Sequence, residues 1–377
     1  MAARFPWRQA ATLILAKNSE GVSRDITEFK ERQLKVLYIK RATKASDVFS
    51  SLHTFPGGTL DSADISDKWW RIYERLSSKL GLASVHKLFG STLRFDNELL
   101  LYKQAGEHEG RMPAHIAFRI CAIRELFEET GLLLCLGMEK LNWLEFSISC
   151  KEGSTHFNQV SNLSEWRELV HNNANRFIDL CSEYNCVPNV WSLVEWSNWL
   201  TPAFLSKRWD TVFYYATMKY GYSPSADNME VSSVDWLEPI EVLQRASKGE
   251  LSIAIPTAYE SSRINRFYGV EMLDRFARWR VENYSCSRLS PVIIVASSEM
   301  FVTTFPKDNF YERSQVKQKK EIVNTEQNQE IVLNTNGLVN RYIRTGPSNF
   351  SIVCNAVPAD GHLIPSLMIP GRITSKL

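Results

Sequence analysis

A short, β-rich apolar run, Thr12–Ala16 within residues 10–17, predicts a first core strand, and Val36–Arg41 predicts a second. The stretch Asn18–Arg32 between them is polar, and Phe55-Pro56-Gly57-Gly58 marks a turn. Residues 65–112 read as inserted material. Within them, Lys68–Leu80 carries apolar residues at three- and four-residue spacing and predicts a helix. Pro113 suits the first turn of another helix. Ala117, Ile120, Ile123 and Leu126 carry that helix to Gly131, a favourable residue just past a helix end. Residues 163–183 predict one amphipathic helix, read as a second insertion. Thr211–Thr217 predicts a strand, and Val234–Gly249 contains Trp236, Pro239 and a helical run over Ile240–Ala246. From about residue 286 the character changes. Pro291–Ala296 is strand-like, Lys307–Gln329 is charged and polar, and Gly337–Pro358 alternates like a hairpin. No internal repeat is visible.

The 377 residues suffice for one large domain or two modest ones. A net charge of +2 gives no global field that would favour nucleic acid or an anionic membrane, so anion recognition must be local. No apolar run approaches the length of a membrane span. The seven cysteines are scattered without a CxxC pair, which fits reduced, mostly buried thiols in an intracellular protein. Residues 1–19 carry Arg4, Arg8 and Lys17 and no acid, a weak transit-peptide signal that leaves mitochondria as a secondary destination. The strand reading of this segment is preferred.

The chemistry sits in Arg124-Glu125-Leu126-Phe127-Glu128-Glu129-Thr130-Gly131-Leu132. On a helix, residues three and four apart share a face, so Glu125, Glu128 and Glu129 crowd together. A hard divalent cation would relieve their repulsion while keeping positions open for water and phosphate oxygens. Arg124 can orient one of the acids through a charge-assisted bond. The plain alternative is a solvated acidic face, but it accounts for neither Arg124 nor the upstream Gly-Gly turn.

These residues resemble the second half of the Nudix box, and Phe55-Pro56-Gly57-Gly58-Thr59-Leu60-Asp61-Ser62-Ala63-Asp64 resembles the first. Counted from Gly58, the box's first acid falls on Asp64, where Glu is usual. The arginine due at position 72 lies at 124, so 52 residues interrupt the box. The resemblance implies a Nudix α/β/α sandwich with a mixed sheet over residues 8–285, a long insertion, and a C-terminal extension over 286–377. It also implies Mg²⁺ or Mn²⁺ on Glu125, Glu128 and Glu129, with the Gly58 carbonyl as a further ligand. Arg124, Glu125 and Glu230 would form the catalytic set, and the general base would be Glu125 or Glu230.

An interrupted box with the terminal tripeptide Ser375-Lys376-Leu377 resembles the peroxisomal coenzyme A diphosphatases, relatives of nucleoside diphosphate-linked moiety X motif 19. Trp199-Leu200-Thr201-Pro202 and Lys207-Arg208-Trp209-Asp210-Thr211 fit that branch, as do Glu230-Val231 and Trp236-Leu237. The implied reaction cleaves coenzyme A or acyl-CoA to adenosine 3′,5′-bisphosphate and (acyl)phosphopantetheine. The alternatives are an NADH or ADP-ribose diphosphatase and, from another class, a non-catalytic nucleotide- or protein-binding Nudix module. Lys40, Arg41 and Lys44 offer a basic cluster for a ribose 3′-phosphate, although a solvated basic turn explains them equally well. Arg208 is either a substrate contact or one half of a strand-end salt bridge with Asp210. The tripeptide is a receptor-read peroxisomal address, which implies an import receptor as partner.

Overall fold

The computed structural model describes residues 7–19, 34–43, 50–92, 102, 110–151, 162–203, 205–218, 223–295, 300–311, 336–346, 349–369 and 372–374. Lys44, most of Lys307–Gln329 and the tripeptide Ser375-Lys376-Leu377 lie outside the described residues.

The first predicted strand forms as β1 (Arg8–Asn18). Leu13 and Leu15 face one side of it and Ile14 and Ala16 the other, all without exposure. A strand buried on both faces reads as a continuous apolar run rather than an alternation. β2 (Leu34–Arg41) and β4 (Gly57–Thr59) pair antiparallel with β1. β3 (His53–Thr54) pairs antiparallel with β2. β5 (Cys135–Gly137) and β6 (Cys186–Pro188) make a separate two-stranded ribbon. β7 (Val194–Leu200) pairs antiparallel with β8 (Trp209–Thr217), and β8 runs parallel to β1 from Arg8↔Trp209 to Ala16↔Thr217. β9 (Val231–Leu237) pairs with β2, and β10 (Arg288–Leu289) with β7. The sheet is therefore mixed.

Helices cover both faces. On one lies Ala114–Thr130, whose Ile120, Leu126 and Phe127 are fully buried beside Leu13 and Leu15. Burying each such side chain contributes about 1.5–3 kcal/mol. On the other lie Pro239–Ser247, Ile255–Ile264 and Val270–Asn283, with Val242, Tyr259 and Leu273 packed against Ile14 and Tyr38. This is the α/β/α sandwich. A second, antiparallel sheet follows, built from β11 (Val292–Val295), β12 (Met300–Thr304), β13 (Asn340–Thr345), β14 (Asn349–Cys354), β15 (Leu367–Ile369) and β16 (Arg372–Thr374). The expected hairpin is β13–β14, registered Asn340↔Cys354.

Two expectations need correction. The helix expected to begin at Pro113 begins at Ala114, because Pro113 takes an extended ψ of 142° just outside it. The single helix expected over 163–183 is two helices, Leu163–Asn172 and Arg176–Glu183. Asn173 takes an extended φ,ψ, and its Oδ1 accepts from the Asn175 amide at 3.1 Å. Such a local side-chain bond competes with the helical one. The insertion behaves as a packed module. Its helix Lys68–Lys79 buries Trp69, Ile72, Tyr73 and Leu76 against the sandwich. Its two ends meet where the Met112 amide donates to the Ile65 carbonyl at 3.3 Å. Among the described residues no helix is long and apolar enough to cross a membrane.

Candidate active site

The closed insertion brings the two halves of the motif into contact through Arg124. Its guanidinium is buried and grips Asp64 at both ends, Nε to Oδ1 at 2.8 Å and Nη2 to Oδ2 at 2.9 Å. Nη1 donates to Glu125 Oε1 at 2.9 Å and to Glu128 Oε1 at 2.7 Å. Nη2 also reaches the Thr59 carbonyl at 3.2 Å. Both oxygens of Asp64 are thus engaged by arginine, and Oδ2 further accepts from the Asp61 amide. Asp64 fastens the arginine; the helix carries the remaining carboxylates.

Glu129 Oε2 accepts from the Gly57 amide at 2.8 Å, with Arg41 Nη1 4.0 Å from Oε1. Gly58 lies so close to the helix that a Cβ there would fall 2.3–2.5 Å from the Glu125 carboxylate. Only glycine fits. A Cβ at Gly57 would meet the Ala11 carbonyl at 2.4 Å, so β4 demands two glycines for two different reasons.

Burial raises the proton affinity of all three helix acids. It pushes Glu125 up to about 7 against the pull of Arg124, with Glu128 and Asp64 adding to the rise. Burial likewise raises Glu128, which Arg124 opposes, and raises Glu129 well above the usual carboxylate range. Three carboxylates here meet Arg124 directly, and the fourth, Glu129, has Arg41 at its edge. The excess negative charge on hard oxygen donors, beside a glycine backbone with no side chain in the way, fits a divalent cation of the Mg²⁺ or Mn²⁺ type.

Glu125 and Glu128 open into a polar cavity of about 530 Å³, and Glu230 lines it with them. Asp227 positions that residue: its Oδ1 accepts from the amides of Met229, Glu230 and Val231 at 2.8, 2.9 and 2.8 Å.

The model for the NUDT19 Nudix domain matches residues 7–264. The chain belongs to the NUDT19 branch of the Nudix family. Three relatives carry the name acyl-coenzyme A diphosphatase NUDT19. The Xenopus laevis protein is 35% identical over 329 residues, 81% of this chain and 81% of its own length. That of Gallus gallus is 29% identical over 96% of this chain and 95% of its own. That of Homo sapiens is 28% identical over 81% and 80%. The chain is a Nudix hydrolase, an enzyme of a family that generally uses divalent metals.

The other residues expected at this Nudix site fall unevenly. Arg41 approaches Glu129, as described. Lys40 extends from β2, where its carbonyl accepts from Ser232 Oγ, and does not line the cavity. Arg208 also lies off the lining; it donates to the Thr201 carbonyl at 3.0 Å and sits 5.1 Å over the Trp7 ring. The close ionic partner of Asp210 is Arg288, at 2.5 Å.

Sequence reasoning missed the opposite wall. It is the corner between Leu163–Asn172 and Arg176–Glu183, which contributes His171, Asn172, Asn173 and Asn175. His171 Nδ1 lies 3.7 Å from Glu128 Oε2. Arg167 donates through Nε and Nη2 to the Glu128 carbonyl, at 3.2 and 2.9 Å, near the C-terminal end of the Nudix helix. A cation suits that end of the helix dipole. The asparagine cluster at 172–175 was the available signal, since such residues favour breaks over helix interiors.

Proposed function

We propose that this Nudix hydrolase cleaves the diphosphate of coenzyme A and acyl-CoA, giving adenosine 3′,5′-bisphosphate and (acyl)phosphopantetheine, with Mg²⁺ or Mn²⁺ as cofactor. The observation that carries the reading is the chain-long similarity to relatives named acyl-coenzyme A diphosphatases. The geometry supports it with one buried arginine ordering two helix acids, Glu125 and Glu128, beside a polar cavity, and the third, Glu129, held by the Gly57 amide. Glu125, Glu128 and Glu129 would hold the metal, together with the Gly58 carbonyl. When bound, the metal supplies Lewis-acid neutralisation of phosphate oxygens and activation of water.

The chain's own groups do the rest. Arg124 fixes the rotamers of Glu125 and Glu128, so no reorganisation is needed as charge develops. Glu125 or Glu230, which both line the cavity, would accept the proton of the attacking water. Arg41, at the edge of the acid cluster, would read the ribose 3′-phosphate, an arrangement that dephospho-CoA would test. The deciding experiment assays CoA, acyl-CoA, dephospho-CoA, NADH and ADP-ribose with each metal and identifies products by mass. Turnover of CoA and acyl-CoA to adenosine 3′,5′-bisphosphate is the expected result. Preference for NADH or ADP-ribose overturns the substrate assignment, and no metal-dependent turnover of any of them overturns the catalytic reading. Ser375-Lys376-Leu377, read as a C-terminus, supports a peroxisomal address recognised by the import receptor. Deleting the three residues should leave the protein in the cytosol.

A further inference from the structure

A second cluster of metal-ligating side chains lies away from the acids. Cys135 opens β5, Cys186 opens β6, and Cys181 sits on the helix Arg176–Glu183. In the β5–β6 ribbon Cys135 pairs with Pro188 and Gly137 with Cys186, so Cys135 and Cys186 share one face as diagonal neighbours. The helix lays Cys181 onto that face. The three Sγ atoms lie within 4.8 Å of one another, and all three residues are fully buried. None forms a disulfide.

We propose that Cys135, Cys181 and Cys186 form a three-coordinate structural site for a soft d¹⁰ cation, monovalent copper. Soft thiolates select such ions over hard ones. Three sulfurs around a cation at about 2.3 Å stand roughly 3.8–4.0 Å apart, inside the spacing the fold already provides. Among the described residues no fourth His, Cys, Asp or Glu joins them. Structural zinc takes four ligands, so three favour copper. Binding releases thiol protons to solvent. With two thiolates and one retained thiol the site carries a single negative charge. Arg75, hydrogen-bonded to Asn185, is close enough to act on the sulfurs of Cys181 and Cys186 and offsets it. The ion would staple ribbon to helix. That helix follows directly on Asn173 and Asn175 of the cavity wall, so the staple would brace one side of the active site from behind.

The test titrates the reduced full chain, without oxygen, with Cu⁺ buffered by a competing chelator. A carboxylate site does not compete for this ion, so the readout is separate from hydrolase activity. One ion per chain, a coordination shell of three sulfurs by X-ray absorption and about two protons released per ion are expected. The thermal midpoint should rise by several degrees. Cys181→Ser should weaken binding at least about 100-fold, while Cys354→Ser should leave it unchanged. Should Cys181→Ser fold poorly, the sulfur count in the unaltered chain decides. No tight ion, a nitrogen or oxygen shell, or undiminished binding by folded Cys181→Ser overturns the proposal. Zinc retained in preference to copper overturns the choice of ion.

Discussion

The sheet carries a buried carboxylate–arginine network on each face, and the two are built on opposite principles. On the far face, Glu260 is a single, fully buried acid. Its Oε2 accepts from Trp196 Nε1 and its Oε1 from Trp199 Nε1, each at 2.8 Å, and Arg263 Nη1 lies 3.3 Å from both oxygens. One negative charge meets one positive charge, and both carboxylate oxygens are satisfied. On the near face, Arg124 holds Asp64, Glu125 and Glu128, with Glu129 beside them. There the negative charges outnumber the positive. A matched pair needs nothing more and reads as structural. An unmatched cluster must recruit a cation, and that need marks it as functional.

The comparison breaks most sharply under substitution. Glu129→Gln or Glu128→Gln removes a ligand and relieves repulsion. Turnover should fall by roughly two orders of magnitude or more, since metal neutralisation of developing charge is worth several kcal/mol. The thermal midpoint of the metal-free protein should hold or rise. Near-normal turnover in both variants would refute the metal assignment.

Glu260→Gln should do the reverse. It leaves Arg263 buried without its counter-charge, at a cost of about 3–5 kcal/mol. Chemical denaturation should show that loss while kcat of the folded fraction stays within about twofold. A stable variant would mean that Arg263 finds other compensation.

The smallest effect is in pH. Burial lifts the folded-state pKa of Glu125 to about 7 and raises those of Glu128 and Glu129. For acids raised on folding, the folded state binds more protons than the unfolded one between the two pKa values. Metal-free stability from Glu125 is then full below the ordinary carboxylate range and is lost as pH rises through about 7. A divalent cation replaces those protons. The midpoint gained on adding Mn²⁺ should therefore be larger at pH 8 than at pH 5; an equal gain at both would show that the cluster does not titrate with the metal.

Much of this contrast was legible in the chain. Glu125, Glu128 and Glu129 are local in sequence, and helical geometry alone puts them together. The Asp64–Arg124 clamp spans 60 residues and could be inferred only by matching both halves of a pattern. Glu260 gave no signal, because its partners Trp196 and Trp199 come from a strand more than 60 residues away. Neither did the helices Ile255–Ile264 and Val270–Asn283, whose patterns were not singled out. The asparagine corner was hidden for a different reason. Residues 163–183 keep an amphipathic pattern across the break, so periodicity joined two helices into one.

The stem of the insertion has a consequence for how this site is specified. The chain leaves at Ile65 and returns at Met112 within one hydrogen bond. The reaction centre therefore registers where those two residues stand, and nothing in the clamp depends on how much polypeptide lies between them. Loop closure costs only slowly more as a loop lengthens, roughly 0.6 kcal/mol per doubling. The stem is thus a socket: beyond the packed helix Lys68–Lys79 the inserted chain can lengthen while Arg124 keeps hold of Asp64, and the box is defined by coordinates in space where a linear count along the chain would declare it broken.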